Sequence, residues 1–310
     1  MKTLNRLLGC CLLGCAMFFA PHSLWAKVYD IYPQPQQEQS GQGVVSFTSS
    51  VTVVCDAAVD AATRERAKQV LQEAKLEAVL AEAPRQGHST LYLGVAGSDG
   101  VVDRYAQQLQ LKRDVLKRTG KYDRHIVHLH AQEGKAEVVI LGEHSDATFY
   151  GLASLEQVLE RGTQQLPAVT LFDYADQQSR GLVEGYYGYP YSLAVKKSLM
   201  RFMMRLKMNT YMYGAKSDMY HSAKWESPYP KSLTKTDIEY GRMSQEMVKD
   251  LAKTSQATKV NFIWAIHPGN DFVSQSSVVT RIMKKFASMY DLGVRQFAIF
   301  VDDVGVPKSD

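Results

Sequence analysis

Apolar positions follow two rhythms along the chain, and the change between them falls near residue 177. Over residues 46–54 apolar and polar residues alternate, with Phe47, Val51 and Val53 on one side, as a half-buried strand requires. Residues 61–80 are rich in Ala, Glu and Lys and set Ala67, Val70, Leu71, Ala74 and Ala78 at helical spacing, closed by Pro84 and Gly87. Residues 90–95, 125–130 and 136–142 are short β-prone runs, and residues 148–159 carry a helical stripe of Phe149, Leu152, Leu155 and Leu159. Residues 27–45, polar and rich in Pro and Gln, predict an extended lead-in that builds little core. A small α+β domain over residues 27–176 accounts for this half.

From Arg180 onward strands and helices alternate. Strands are expected at 180–186, 209–213, 259–266 and 296–301, and helices at 192–206, 237–254 and 277–290, the first capped by Ser192. That order predicts parallel β/α units. Polar, Gly- and Pro-bearing residues gather just after each strand, where a (β/α)8 barrel keeps its active site. A full barrel needs eight strands, eight helices and about 250 residues. Residues 177–310 therefore read as the first half of a TIM barrel, with open sheet edges at its first and fourth strands, and the chain reads as a fragment or truncated product. The fold class expected is α/β: an α+β domain followed by half a barrel.

Composition narrows the function classes. Hydrophobic residues make up 45% and charged ones 22%, an ordinary globular balance. Residues 1–26 have the layout of a secretory signal: Lys2 and Arg6, an apolar run, then Ser23-Leu24-Trp25-Ala26 at a cleavage site. The apolar run is shorter than the roughly 20 residues of a membrane span. A secreted or periplasmic location follows, with no span in the mature chain; a lipid-modified Cys15 is the lesser alternative. Of 36 Lys and Arg, losing those two leaves 34 against 32 acidic residues, and no dense basic run argues for nucleic acid. Cys10, Cys11 and Cys15 fall in the leader, so Cys55 alone can form neither an internal disulfide nor a cysteine zinc cluster.

The densest chemistry is Val301-Asp302-Asp303-Val304, two carboxylates at the end of an apolar strand. Neighbours in a strand face opposite sides, so both reach one pocket only where strand gives way to loop. Like charges brought together push one pKa up and leave the other group ionised, dividing acid from anchor. From these residues alone, a metal-binding or turn-capping pair is the favoured reading.

Three further segments stand in order before this pair: Arg180-Gly181-Leu182-Val183-Glu184-Gly185-Tyr186-Tyr187-Gly188, Met208-Asn209-Thr210-Tyr211-Met212-Tyr213-Gly214-Ala215-Lys216-Ser217-Asp218-Met219-Tyr220-His221, and Trp264-Ala265-Ile266-His267-Pro268-Gly269. With Phe297–Asp303 they resemble the first four barrel strands and following loops of glycoside hydrolase family 84, which includes O-GlcNAc hydrolases and enzymes once called hyaluronidases. Residues 27–176 resemble, more weakly, the hexosaminidase-type domain that precedes that barrel. The resemblance implies a retaining β-N-acetylglucosaminidase acting on terminal β-linked GlcNAc of a glycan or glycoprotein, with no cofactor. Asp302 is then the residue that holds the substrate's 2-acetamido N–H while the acetamido oxygen attacks the anomeric carbon. Asp303 is the acid that protonates the leaving oxygen and later activates water, a substrate-assisted departure from the usual two-carboxylate schemes. Gly185 is matched to a glycine whose carbonyl meets a sugar hydroxyl, and Lys216 to a lysine that reaches another. Tyr186, Ala215 and Met219 stand where the family commonly has Phe, Pro and Pro.

A non-catalytic carbohydrate-binding remnant and an endo-acting enzyme on hyaluronan-like polymers are the rival readings. Glu184 reads as structural, and His267 as a positioned loop histidine, because no cluster around it has metal-ligand spacing. Met200, Met203, Met204 and Met208 read as core. His125, His128 and His130 are expected to share one strand face.

Overall fold

The computed structural model of the chain describes residues 27–274, 277–302 and 305; the leader read over 1–26 and the acid read at Asp303 lie outside the described residues. In chain order the strands and helices are β1 (Gln37–Val45), β2 (Ser50–Cys55), α1 (Ala61–Glu73), β3 (Glu77–Leu80), β4 (Ser89–Val95), α2 (Val101–Gln108), β5 (Tyr122–Gln132), β6 (Lys135–Gly142), α3 (Ser145–Leu159) and β7 (Leu166–Ala175). They continue with β8 (Gly181–Glu184), α4 (Leu193–Arg205), β9 (Thr210–Tyr213), α5 (Lys235–Glu239), α6 (Gln245–Thr258), β10 (Asn261–Ile266), α7 (Asp271–Ser274), α8 (Val278–Asp291) and β11 (Gln296–Ile299). None of the described helices is long and apolar enough to cross a membrane.

The first seven strands form one mixed sheet in the order β1-β7-β5-β6-β4-β2-β3, parallel from β3 to β6 and antiparallel from β6 to β1. Strand alternation sends Val51, Val53, Leu91 and Leu93 to the face covered by α1 and α3, while Val54, Tyr92, Val139 and Leu141 meet Val102 and Ala106 of α2 on the other. The remaining four strands form a parallel sheet, β11-β10-β9-β8, with a helix between each pair, the arrangement of a partial barrel. Met200, Met203 and Met204 of α4 and Val248 and Leu251 of α6 pack on Tyr211, Tyr213, Phe262 and Trp264.

Three expectations are corrected. The lead-in is core-forming: Tyr29 and Ile31 are buried, and β1 pairs antiparallel with β7. An edge strand needs only backbone pairing, so the Pro- and Gln-rich composition hides it. The helix expected over 61–80 stops early. Lys75 takes a left-handed φ of 61°, and Glu77–Leu80 then pairs parallel with β2. The helix expected over 237–254 is two helices, α5 and α6, divided at Gly241, whose φ is 62°. Ser192, in contrast, caps α4 as read, its hydroxyl accepting the Val195 N–H at 3.3 Å.

The two sheets meet across α3. Its inner side packs Leu152, Leu155 and Val158 on the first sheet, while Phe149 and Tyr150 belong to the second core. Around it run cross-links: Lys207 Nζ to Asp173 at 2.6 Å, Arg180 to Asp123 at 2.7 Å, Arg205 to Glu160 at 2.7 Å, and Lys259 to both Asp60 and Asp146. Burial alone would raise the Asp173 carboxyl, yet Lys207 and His125 hold it below its usual value; burial pushes His125 below its own. Both groups bind fewer protons folded than unfolded, so both withdraw stability in acid.

Stability should therefore fall as pH drops from about 6.5, the ordinary histidine value, through the carboxylate range, and denaturant titrations at several pH values will show it. Lys207→Met strands a buried carboxylate and should cost about 3–5 kcal/mol at neutral pH; a loss below about 1 kcal/mol would mean the pair is solvated. A second expectation concerns the open sheet. β8 and β11 are its edges, and Val183 (62% exposed) and Val301 (52%) lie uncovered there. Residues 27–176 should keep their fold when excised, and the 310-residue chain should associate and bind apolar dyes through these uncovered edges. A monomeric, dye-silent 310-residue chain would contradict that.

Candidate functional site

All four strands of the second sheet run the same way, so their C-terminal ends bring Gly185, Lys216, His267 and Asp302 to one side. Lys216 follows β9 and Asp302 follows β11, 86 residues apart in sequence, and their side chains form an ion pair. The lysine is mostly covered (11% exposed) and the carboxylate open (55%). Lys216 Nζ also stands 5.2 Å from the centre of the Tyr187 ring. Chiefly because of the lysine's hydrogen bond, the Asp302 carboxyl is held below the usual carboxylate range. His267, after β10, donates from Nε2 to the Asp302 carbonyl at 2.8 Å and stands 3.7 Å from its Oδ1.

The loop that carries Lys216 is set from beneath. Asp218 has no exposed surface; it accepts the Tyr213 and Tyr229 hydroxyls at 2.7 and 2.6 Å and the Tyr220 N–H at 2.9 Å. Burial, then the Asp218 charge, pushes both phenols far above their ordinary value, so they stay protonated and donate. Trp264 Nε1 in turn donates to the Tyr229 hydroxyl at 3.1 Å. Lys285 is buried against the Tyr229 and Trp264 rings, and burial pulls its ammonium down to about 8.

Gly185 lies at the end of β8, and a Cβ there would meet Val183 at 3.3 Å and Phe300 at 3.5 Å. The fold itself nearly admits a methyl group there. Gly214 is the stricter position: a Cβ would fall 2.4 Å from Phe300 and 2.9 Å from His221. Glu184 is used inside the fold, as read. It is buried, accepts the Tyr211 hydroxyl and the Tyr191 N–H at 2.8 Å, and lies 3.3 Å from Lys196 Nζ. Among the described residues no group of His, Cys, Asp and Glu is arranged to hold a metal.

The histidines of β5 do not share a face. The rings of His128 and His130 stack at 4.6 Å, but His125, an odd number of residues away, turns to the opposite side beside Asp173. Sequence reasoning also passed over Asp218 and His221. The available signal was the run Lys216-Ser217-Asp218-Met219-Tyr220-His221, unusually polar for the end of an apolar strand.

Comparison with known proteins bears on both halves. A family model described as beta-N-acetylglucosaminidase matches residues 180–310, and one described as glycosyl hydrolase family 20, domain 2, matches residues 28–174. The "Protein O-GlcNAcase" of Rattus norvegicus and that of Mus musculus are each 30% identical over 125 residues, 40% of this chain and 12% of theirs. Two solved structures, "Structure of CpGH84D" and "Structure of CpGH84B", superpose with TM-scores of 0.75 and 0.71 at 32% and 26% identity. Each match covers 90% of this chain and 45% of the other, so the chain spans less than half the length of these relatives.

If Lys216 sets the charge state of Asp302, Lys216→Met should move the Asp302 titration toward higher pH. Carbon NMR of the carboxyl will read the midpoint; an unmoved midpoint would mean that the ion pair does not form in solution.

Proposed function

We propose that the chain is a member of glycoside hydrolase family 84 and that it serves a β-N-acetylglucosaminidase releasing terminal β-linked GlcNAc from glycans or glycoproteins. The observation that carries the reading is the convergence of Lys216 and Asp302 from separate strand ends, with the carboxylate ionised and open. An ionised carboxylate accepts the N–H of a 2-acetamido group and stabilises the positive charge that the group acquires as its oxygen attacks the anomeric carbon. No bond from enzyme to sugar is needed, and the intermediate is an oxazoline. Asp303, outside the described residues, is proposed to protonate the departing oxygen and then to activate water. Gly185 and Lys216 are proposed to meet sugar hydroxyls. Export, proposed from the leader over 1–26, places the substrate outside the cytoplasm.

The test is made in the gene product that carries these residues. Asp303→Asn should slow hydrolysis about 10²–10⁴-fold for poor leaving groups and far less for activated aryl glycosides, which need little protonation. An equal loss for both would remove Asp303 from the acid's role. A thiazoline mimic of the oxazoline should bind tightly, as species resembling high-energy states do, and Asp302→Ala should weaken it much more than it weakens GlcNAc. Mass spectrometry that found a slow fluorosugar bonded to Asp302 would rule substrate assistance out.

A further inference from the structure

Lys216 grips Asp302 through the carboxylate, the very group that the proposed substrate must reach. Something else has to hold this residue while its carboxylate is engaged with sugar. Among the described residues the sheet's own bonding stops short of it: the last backbone bond on this edge runs from the Phe300 N–H to the Ile266 carbonyl, at 2.7 Å.

We infer that His267 is the positioning residue for Asp302, and that His221 is the post that sets His267. The bond from His267 Nε2 ends on the Asp302 carbonyl, so it fixes the main chain and consumes no lone pair of the carboxylate. A carbonyl can only accept; Nε2 therefore carries the ring proton.

His267 is itself held at its backbone, whose N–H donates to the His221 carbonyl at 2.9 Å. His221 has no exposed surface, and its Nδ1 donates to the Ala265 carbonyl at 2.6 Å. Among the described residues its buried Nε2 has no hydrogen-bond partner, and the Trp264 and Phe300 rings meet the imidazole edge-on at 6.5 and 5.8 Å. The His221 N–H closes on the Asp218 carbonyl at 3.2 Å. Two histidines thus stitch the ends of β9, β10 and β11 together, starting from the buried Asp218 and finishing at Asp302.

This inference rests on the glycosidase reading and is tested in the same gene product. A displacement of about 1 Å at a reacting group can cost about 10²-fold in rate. His267→Leu should therefore lower kcat on an aryl β-N-acetylglucosaminide about 10–100-fold while KM moves less than about threefold. His267→Gln, whose amide nitrogen reaches to about the same place as Nε2, should restore kcat to within about threefold of the parent. A leucine variant with parental kcat overturns the inference. So does a glutamine variant as slow as the leucine one, or a loss of kcat that simply tracks the folded fraction seen in thermal melts. Should the parent itself hydrolyse nothing and bind no thiazoline, the glycosidase reading falls. Positioning is then judged by nitrogen NMR of the His267 ring: an Nε2–H tautomer at neutral pH upholds it, and an Nδ1–H tautomer overturns it.

Discussion

Asp218 sits with no exposed surface at the point where β9 gives way to its loop, and the geometry above the second sheet depends on how it is satisfied. A buried carboxylate without partners is costly enough to distort a fold. Here two tyrosine hydroxyls and a backbone N–H meet it, one hydroxyl coming from β9 itself and the other from the long loop before α5. That arrangement pins both ends of a segment that has no regular structure to hold it. Lys216, two residues before, and His221, three residues after, inherit their positions from the anchor.

The strand and helix pattern was legible wherever burial is one-sided. β4, β5, β6, α3, α4 and the four strands of the second sheet emerge near their expected places, because alternation or a helical stripe marks a single apolar face. Failures cluster where something other than burial decides. The strand β1 is held by backbone pairing and by two buried residues, Tyr29 and Ile31, that its composition does not advertise. The end of α1 is set by one left-handed residue, Lys75, a conformation that no pattern of apolar positions encodes. Gly241 divides α5 from α6 for the same kind of reason.

The site was legible in part. Asp302, Lys216, Gly185 and His267 each follow a strand, and a parallel sheet necessarily brings its strand ends to one side. That Lys216 pairs with Asp302, and that His267 bonds to the main chain of Asp302 and not to its carboxylate, depends on loop paths that the sequence does not state. The buried layer of Tyr213, Tyr229, Trp264 and Lys285 stayed hidden for a different reason: aromatic residues near strands read as ordinary core. Only the fold shows that the Tyr213 and Tyr229 hydroxyls meet on Asp218, with Trp264 bonding the Tyr229 hydroxyl behind them.

The helix α3 separates two ideas that are often treated as one. By strand membership it belongs to the first sheet, yet Phe149 and Tyr150 complete the second core, with Lys259 and Arg180 lying over their rings at 5.3 and 5.5 Å. A protease or a molecular biologist cutting between the sheets would leave these two rings without their cover, on a piece otherwise well packed. The seam that looks natural in the chain is therefore not the seam of least exposed apolar surface. Any excised first half would carry an adhesive patch shaped to fit the half it had lost.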